Sequence, residues 1–336
     1  MNTARALCCV KCRARKNVAR QSALPMNIFM TGGSSVVGQP TLRLLAARGH
    51  RVTALTRAET RAQSLRDAGA TPCIGDLFDQ DFIRAATRGA DSVLHLATAS
   101  PQKASSGGSA WALHDRLCSE GTRNLLSALQ EQPLHSFVIQ SDAFLYGDTR
   151  GTWKHEDDPL PRKLARQRQA TVEMERSALA DYHAYETPVV ILRGASLYGP
   201  TAPSTRALLQ ALQQRRMPIL GSGNQYWHWL YVDDMARACV IAAEHPAPGE
   251  IFNVADDWAF HAADGLNYIA AQLNAPAPFK MTTSLARVFM GDAATFLAQS
   301  ARYRTDKIKK MLGWAPKYPT YREGLAEILR TMGKRV

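Results

Sequence analysis

From Met26 onward the hydrophobic positions fall into short runs that alternate with amphipathic stretches, as they do when strands and helices exchange along a chain. "NIFMT" (27–31) reads as a short buried strand, followed by a Gly/Ser turn and a helix over 36–49. "RVTALTR" (51–57), "TPCIG" (71–75), "DSVLHLA" (91–97), "SFVIQS" (136–141) and "PVVILRG" (188–194) read as further strands. Between them the spacing predicts helices to about Gly69 and over 78–89, 110–131 and 163–184, with a Gly/Ser-rich loop at 104–109. Six strands separated by helices predict an α/β fold: a Rossmann, doubly wound, mostly parallel sheet over residues 26–200.

Beyond residue 200 the regularity loosens. Helices are expected at 203–216, 233–244, 262–273, 283–300, 304–311 and 321–332, with an aromatic loop and a strand at 250–254. These predict a smaller, mainly helical C-terminal substrate lobe (201–336) whose strands return to the core. A ligand would lie between that lobe and the carboxyl edge of the sheet.

Charge changes the picture at one end only. The formal net charge is +12, and residues 1–25 carry Arg5, Lys11, Arg13, Arg15, Lys16 and Arg20 without one acidic residue. This basic leader reads as a disordered tail or as an over-long start, with Met26 the true first residue. Basic tails attract nucleic acid, but no aromatic residue is interleaved with these charges, which argues against nucleic acid as the partner. Cys8, Cys9 and Cys12 lack the further ligands of a tetrahedral zinc site, and no metal is expected. Cys73, Cys118 and Cys239 are isolated, so the cysteines suggest a reducing cytoplasm rather than a disulfide framework. No apolar run reaches the length of a membrane span.

The strongest chemical signal is "MNIFMTGGSSVVGQPTLRLLAARGHRVTALTR", in the order strand, tight turn, helix, strand. A glycine turn there brings backbone N–H groups and the positive end of a helix to a pyrophosphate. The stretch resembles the TGxxGxxG motif of the extended short-chain dehydrogenases/reductases, the group that includes the nucleotide-sugar epimerases and dehydratases. Gly32 and Gly38 stand at the motif's first and last glycines and Ser35 at the middle one. Thr31, Ser34, Val36 and Val37 complete the turn. "GTRNLL" (121–126), "LYGD" (145–148), "ILRGASLYGP" (191–200), "YVDDMARA" (231–238), "FNVAD" (252–256) and "TDKIKKMLGWAPKYPTYREGL" (305–325) resemble further landmarks of the group in their proper order. The resemblance spans about residues 27–332. It implies a nicotinamide dinucleotide, with Asp76 and Leu77 beside the adenine and Leu96 and Ala97 along the dinucleotide. It also implies that Asp234 anchors the lobe's helix and that Asn253 stabilises a strand turn. Arg57 ends the second strand where NAD-specific sites carry an acid, so NADP is favoured over NAD, with Arg61 in support. His95 reads as a core residue.

The group's reaction uses a serine or threonine hydroxyl and a Tyr-x-x-x-Lys pair on one helix face, the lysine and the cofactor lowering the tyrosine's pKa. Here the hydroxyl position falls on Asp142, with Ser141 one residue early. No tyrosine lies between Tyr146 and Tyr182, and no lysine between Lys163 and Lys280. With Glu173 taken as the group's helix glutamate, Ala165 replaces the tyrosine and Gln169 the lysine. Candidates for a relocated acid or base are Asp142, whose carboxyl could be desolvated at a strand end, then Tyr146, Ser141 and His228. Asp142 could equally cap a helix. Cys118 reads as a buried filler, and His155 and Glu156 as surface residues. Gln140, Tyr226 and Trp227 are assigned to the substrate pocket. Trp227 replaces the arginine that clamps a diphosphate in nucleotide-sugar enzymes, which points to an apolar or aromatic small molecule. Packing between the lobes is the competing role for these aromatics.

The functional expectation is an NAD(P)-dependent oxidoreductase or epimerase-type enzyme with a non-standard acid/base group. The alternatives are a non-redox isomerase, lyase or cyclase on the same fold, and a non-catalytic NADP-binding sensor or scaffold. The helices at 110–131 and 163–184 correspond to those through which the group forms homodimers.

Overall fold

A computed structural model describes residues 24–99, 111–130 and 132–333. The strands β1 (Asn27–Thr31), β2 (Arg51–Thr56), β3 (Thr71–Ile74), β4 (Ser92–His95), β5 (Ser136–Asp142), β6 (Val189–Gly194) and β7 (Glu250–Val254) make one sheet in the order β7-β6-β5-β4-β1-β2-β3. Every neighbouring pair in it runs parallel. The chain reverses its direction of travel across the sheet between β1 and β4, and the crevice above that reversal is where a dinucleotide lies in such folds.

Every residue of β4 and β6 is buried, as expected of central parallel strands covered on both faces. On one face, helix Gly38–Ala47 packs against helix Val232–Glu244, and their apolar sides join Ile28, Met30, Val138 and Leu192 in one core. Val232–Glu244 therefore belongs to the Rossmann layer, although its sequence lies beyond residue 200. On the other face Phe29, Phe137, Ile139 and Ile191 meet the helices Gln80–Ala86, Thr122–Leu129 and Arg166–Tyr185.

Three departures from the sequence pattern shape the site. The helix expected at 110–131 is divided into Ala112–Arg116, a π turn Leu117–Gly121, and Thr122–Leu129. The helix expected at 283–300 breaks at Gly291, whose φ of +55° ends one helix and opens the next. The aromatic loop folds into short ladders: Tyr226–Trp227 with Phe260–His261, and Trp229–Tyr231 with Ser196–Tyr198. Strands of two or three residues are too short to show an alternation. The leader with its three cysteines and the loop at 104–109 lie outside the described residues.

The lobe is joined to the Rossmann layer through Asp234. Its fully buried carboxylate accepts the backbone N–H groups of Lys317 (2.7 Å) and Tyr318 (2.9 Å) and pairs with Arg237. This is the anchoring role the resemblance implied.

Candidate active site

At the end of β1 the chain turns on Gly32, with φ +75°. A Cβ there would stand 2.4 Å from the carbonyl carbon and oxygen of Leu96, and one on Gly38 would stand 2.1 Å from Gly32 O. Both positions exclude any side chain, so the turn, the first helix and the end of β4 meet at backbone contact. Ser35 does not project towards the space a phosphate would take. Its Oγ accepts from Gly38 N (2.9 Å), and its own N–H donates to Gly32 O (2.9 Å). The N–H groups of Ser34, Val36 and Val37 find no acceptor among the described residues. A row of free donors at the start of a ten-residue helix fits a dinucleotide's pyrophosphate. Thr31 is buried and bonded to His95 Nδ1 (2.6 Å). His95 is a core residue, as expected: burial lowers its pKa to about 4. Arg57 and Arg61 are exposed and make no salt bridge among the described residues. Asp76 is exposed and accepts from Phe78 N (3.1 Å), while Leu77 is buried against the π turn.

Beyond β5 lies a buried polar network. Ser141 Oγ donates to Glu175 Oε1 (2.5 Å), so this hydroxyl faces the helix Arg166–Tyr185 and not the crevice. Arg193, on β6, pairs with the same carboxylate (2.6 Å) and donates to Tyr146 Oη (2.8 Å). Tyr146 in turn donates to Asn253 Oδ1 (2.9 Å), and Asn253 N donates to Glu156 Oε1 (2.8 Å). Two expectations are corrected here. The Tyr146 proton is committed to Asn253, and burial raises its pKa, so Tyr146 is not a free proton donor. Glu156 is not a surface residue; it is 8% exposed, and burial raises its pKa. Asn253 joins the end of β7 to the segment that follows β5, through Tyr146, Lys154 O (3.2 Å) and Glu156.

Asp142 is occupied as well. One carboxylate oxygen accepts from Phe144 N (2.6 Å) and the other pairs with Arg168, whose guanidinium lies 5.3 Å from the centre of the Phe144 ring. Of the two roles expected of Asp142 the capping one is present, joined by an ion pair, and the free, partly desolvated carboxyl is not. His228 also proves structural. Its Nε2–H donates to Asp256 O (2.7 Å), its Nδ1 accepts from Tyr303 N (3.0 Å), and burial lowers its pKa to about 4. Trp227 and Trp229 stack with ring centres 6.0 Å apart. Trp227 is 9% exposed, and its indole N–H is bonded to Leu297 O (3.1 Å) inside the lobe core. It packs the lobe, which corrects its assignment to the pocket. Tyr226 is half-buried, its ring tilted against that of His261 (4.2 Å between centres) with Arg302 over its face (4.3 Å). Gln140 is half-buried, and its Oε1 is unpartnered among the described residues.

The family model for the NAD dependent epimerase/dehydratase family matches residues 28–255. The chain belongs to that family. It is 31% identical over 311 residues to a 3-diazoavenalumate denitrifying reductase of Streptomyces sp, covering 89% of this chain and 99% of the relative. It is 25% identical over 233 residues to a Stigmatella aurantiaca 4-hydroxy-2-methyl-3-oxo-4-farnesyl-3,4-dihydroquinoline-1-oxide ketoreductase, covering 69% of this chain and 68% of the relative. Among solved structures it resembles the Streptomyces venezuelae dTDP-glucose 4,6-dehydratase DesIV with NAD bound, at a TM-score of 0.75 and 22% identity, covering 91% of this chain and 96% of that one. The last likeness is one of fold.

The helix Arg166–Tyr185 offers two glutamates for the position given above to Glu173. Glu173 is exposed, whereas Glu175 is 3% exposed and holds both Ser141 and Arg193. Taking Glu175 as the family's helix glutamate puts Gln167 at the tyrosine and Thr171 at the lysine, in place of Ala165 and Gln169. Ala165 and Gln169 are exposed, while Gln167 is half-buried and Thr171 buried, one turn apart on the face that carries Glu175. Thr171 Oγ1 meets His114 Nε2 (3.3 Å), and Cys118 Sγ lies 3.6 Å from the same nitrogen. Cys118 is the filler expected of it, since burial pushes its thiol up to about 12.

Glu175, Arg193, Arg168, His114 and Tyr303 were not singled out from the sequence. An arginine inside the apolar run "VVILRG" required a buried counter-charge, and that requirement could have found Glu175. Nothing local marks Arg168, His114 or Tyr303.

Proposed function

We propose that this family member is a nicotinamide-dependent reductase, with NADP preferred, that acts on an apolar or aromatic small molecule without a tyrosine–lysine relay. The observation that carries the reading is the contrast between two parts of one site. The dinucleotide turn keeps both sterically required glycines and its free donors, while the relay face presents Gln167 and Thr171. When bound, the nicotinamide supplies a hydride, which an electrophile such as an arenediazonium takes up with loss of dinitrogen and no proton, whereas a ketone needs a proton as well.

This chain's residues then bind and orient. The turn over residues 32–38 would hold the pyrophosphate, and Arg57 would supply the charge for the 2′-phosphate of NADP. Phe144 supplies an aromatic wall, and the Asp142–Arg168 pair fixes the floor beside it. The named activities of the two relatives, a 3-diazoavenalumate denitrifying reductase and a dihydroquinoline ketoreductase, support a hydride acceptor of this class. A homodimer through the helices at 112–129 and 166–185 completes the proposal.

The test follows NADPH labelled with deuterium at C4 against an arenediazonium carboxylate and the matching aryl methyl ketone. Enzyme-dependent deuteration of the arene, with the ketone slower by at least tenfold, supports the reading. Ketone reduction at an equal or greater rate would show that a proton relay exists after all. The absence of dinucleotide binding would favour a non-redox role for the pocket.

A further inference from the structure

Two buried polar atoms beside the Asp142–Arg168 pair have no partner among the described residues: Tyr303 Oη and His114 Nδ1. Tyr303 is 1% exposed and His114 6% exposed, so water does not satisfy either group freely. A buried donor left without an acceptor costs stability, and such groups in folded proteins call for an explanation. Phenylalanine would fill the Tyr303 site without that cost.

Tyr303 is also held in place. Its ring stacks on His228 (5.7 Å, 11° between planes) and packs against Tyr146 (5.8 Å), while its backbone N–H is fixed by His228 Nδ1. Its hydroxyl therefore has a set direction, and it lies within the electrostatic reach of both Asp142 and Arg168 while bonding to neither. Burial raises its pKa, so it keeps its proton and offers a hydrogen bond. His114, on the helix Ala112–Arg116, meets Thr171, and its pKa is lowered by burial and by Arg168. The surroundings are thus a neutralised ion pair, a neutral imidazole, a phenol, and the Phe144–Phe296 pair with ring centres 4.5 Å apart. A carboxylate finds no uncompensated cation there. A neutral oxygen on an aromatic ring finds a donor and a wall.

We propose that Tyr303 is a specificity-determining residue whose hydroxyl donates a hydrogen bond to a ring oxygen, phenolic or quinone-like, of an aromatic substrate. This rests on the reductase reading for its ligand class. The experiment is calorimetric titration of the NADP-loaded protein with 4-hydroxycinnamate and with cinnamate, for wild type and Tyr303→Phe, with NADPH affinity and thermal midpoint measured on both proteins. The expected result is that wild type binds 4-hydroxycinnamate roughly tenfold more tightly than cinnamate. Tyr303→Phe should abolish that difference while keeping NADPH affinity and a midpoint equal to or above that of wild type. A lower midpoint with the probe preference intact would show a packing tyrosine and overturn the proposal. So would wild type binding neither probe. Absence of NADPH binding by wild type would instead strike at the reductase reading, and the same probe titrations on the dinucleotide-free protein would then judge Tyr303.

Discussion

Arg193 lies across Glu175 with Nε 3.0 Å from one carboxylate oxygen and Nη2 2.6 Å from the other, in a pair whose side chains are 5% and 4% exposed. The same carboxylate holds Ser141, and the same guanidinium holds Tyr146. Four side chains that could have been read as catalytic candidates thus form a strut between β5, β6 and the helix Arg166–Tyr185. Removing one end leaves the other charge buried and unpaired. Glu175→Ala should therefore cost about 3–5 kcal/mol, and Ser141→Ala only about 1 kcal/mol. Equilibrium denaturation checks both. Equal, small losses would show that the strut is not load-carrying.

The turn makes a prediction about Ser35. Because its hydroxyl folds back onto Gly38 N, Ser35→Gly should change dinucleotide affinity by less than about threefold and cost roughly 0.5–1 kcal/mol of stability. Gly38→Ala, by contrast, should abolish dinucleotide binding through its contact with Gly32 O. Titration of NADPH into each variant distinguishes the two. A large gain in affinity for Ser35→Gly would mean that the serine does obstruct the phosphates.

Stability should fall in mild acid. His95 and His228 have folded pKa values of about 4, lowered from 6.5 by burial. The unfolded chain therefore binds more protons than the fold between pH 6.5 and 4. Their contribution is fully present above pH 6.5 and is lost as pH falls through that window, by about 3 kcal/mol for each histidine. Denaturation curves across this range measure the slope. A flat profile would contradict the neutral, doubly bonded state assigned to His228.

The Cys118 thiol, pushed up to about 12 by burial, should resist alkylation in the native protein at pH 8 and react on unfolding. Mass spectrometry after iodoacetamide treatment reads this directly. Native labelling at Cys118 would make the His114–Cys118 contact an activated pair and revise the account of this corner of the site.

The sheet was legible because its strands are continuous apolar runs and its turn requires glycine at two positions where backbone meets backbone. The lack of a tyrosine between Tyr146 and Tyr182 and of a lysine between Lys163 and Lys280 was legible too, since the absence of a residue type over a long stretch needs no register. The register itself was not. Glu173 and Glu175 differ only in which face of the helix they occupy, and the helix is polar enough that its buried side is set by Ser141 and Arg193 across the gap. Asp142 and Tyr146 stood at the right strand end, yet their partners Arg168 and Arg193 come from distant segments. A local reading sees an available proton where tertiary structure has already engaged it. His228 and Trp227 show the same limit: both were read as facing a ligand, and both side chains are bonded inside the packed interior.

The central claim is an intact NADP site above a face without a proton relay, and calorimetric binding of NADPH and NADH to wild type and Arg57→Ala tests it most directly. NADPH should bind at least tenfold more tightly than NADH, and Arg57→Ala should lower NADPH affinity about tenfold while leaving NADH unchanged. Binding of neither dinucleotide by wild type would contradict the account.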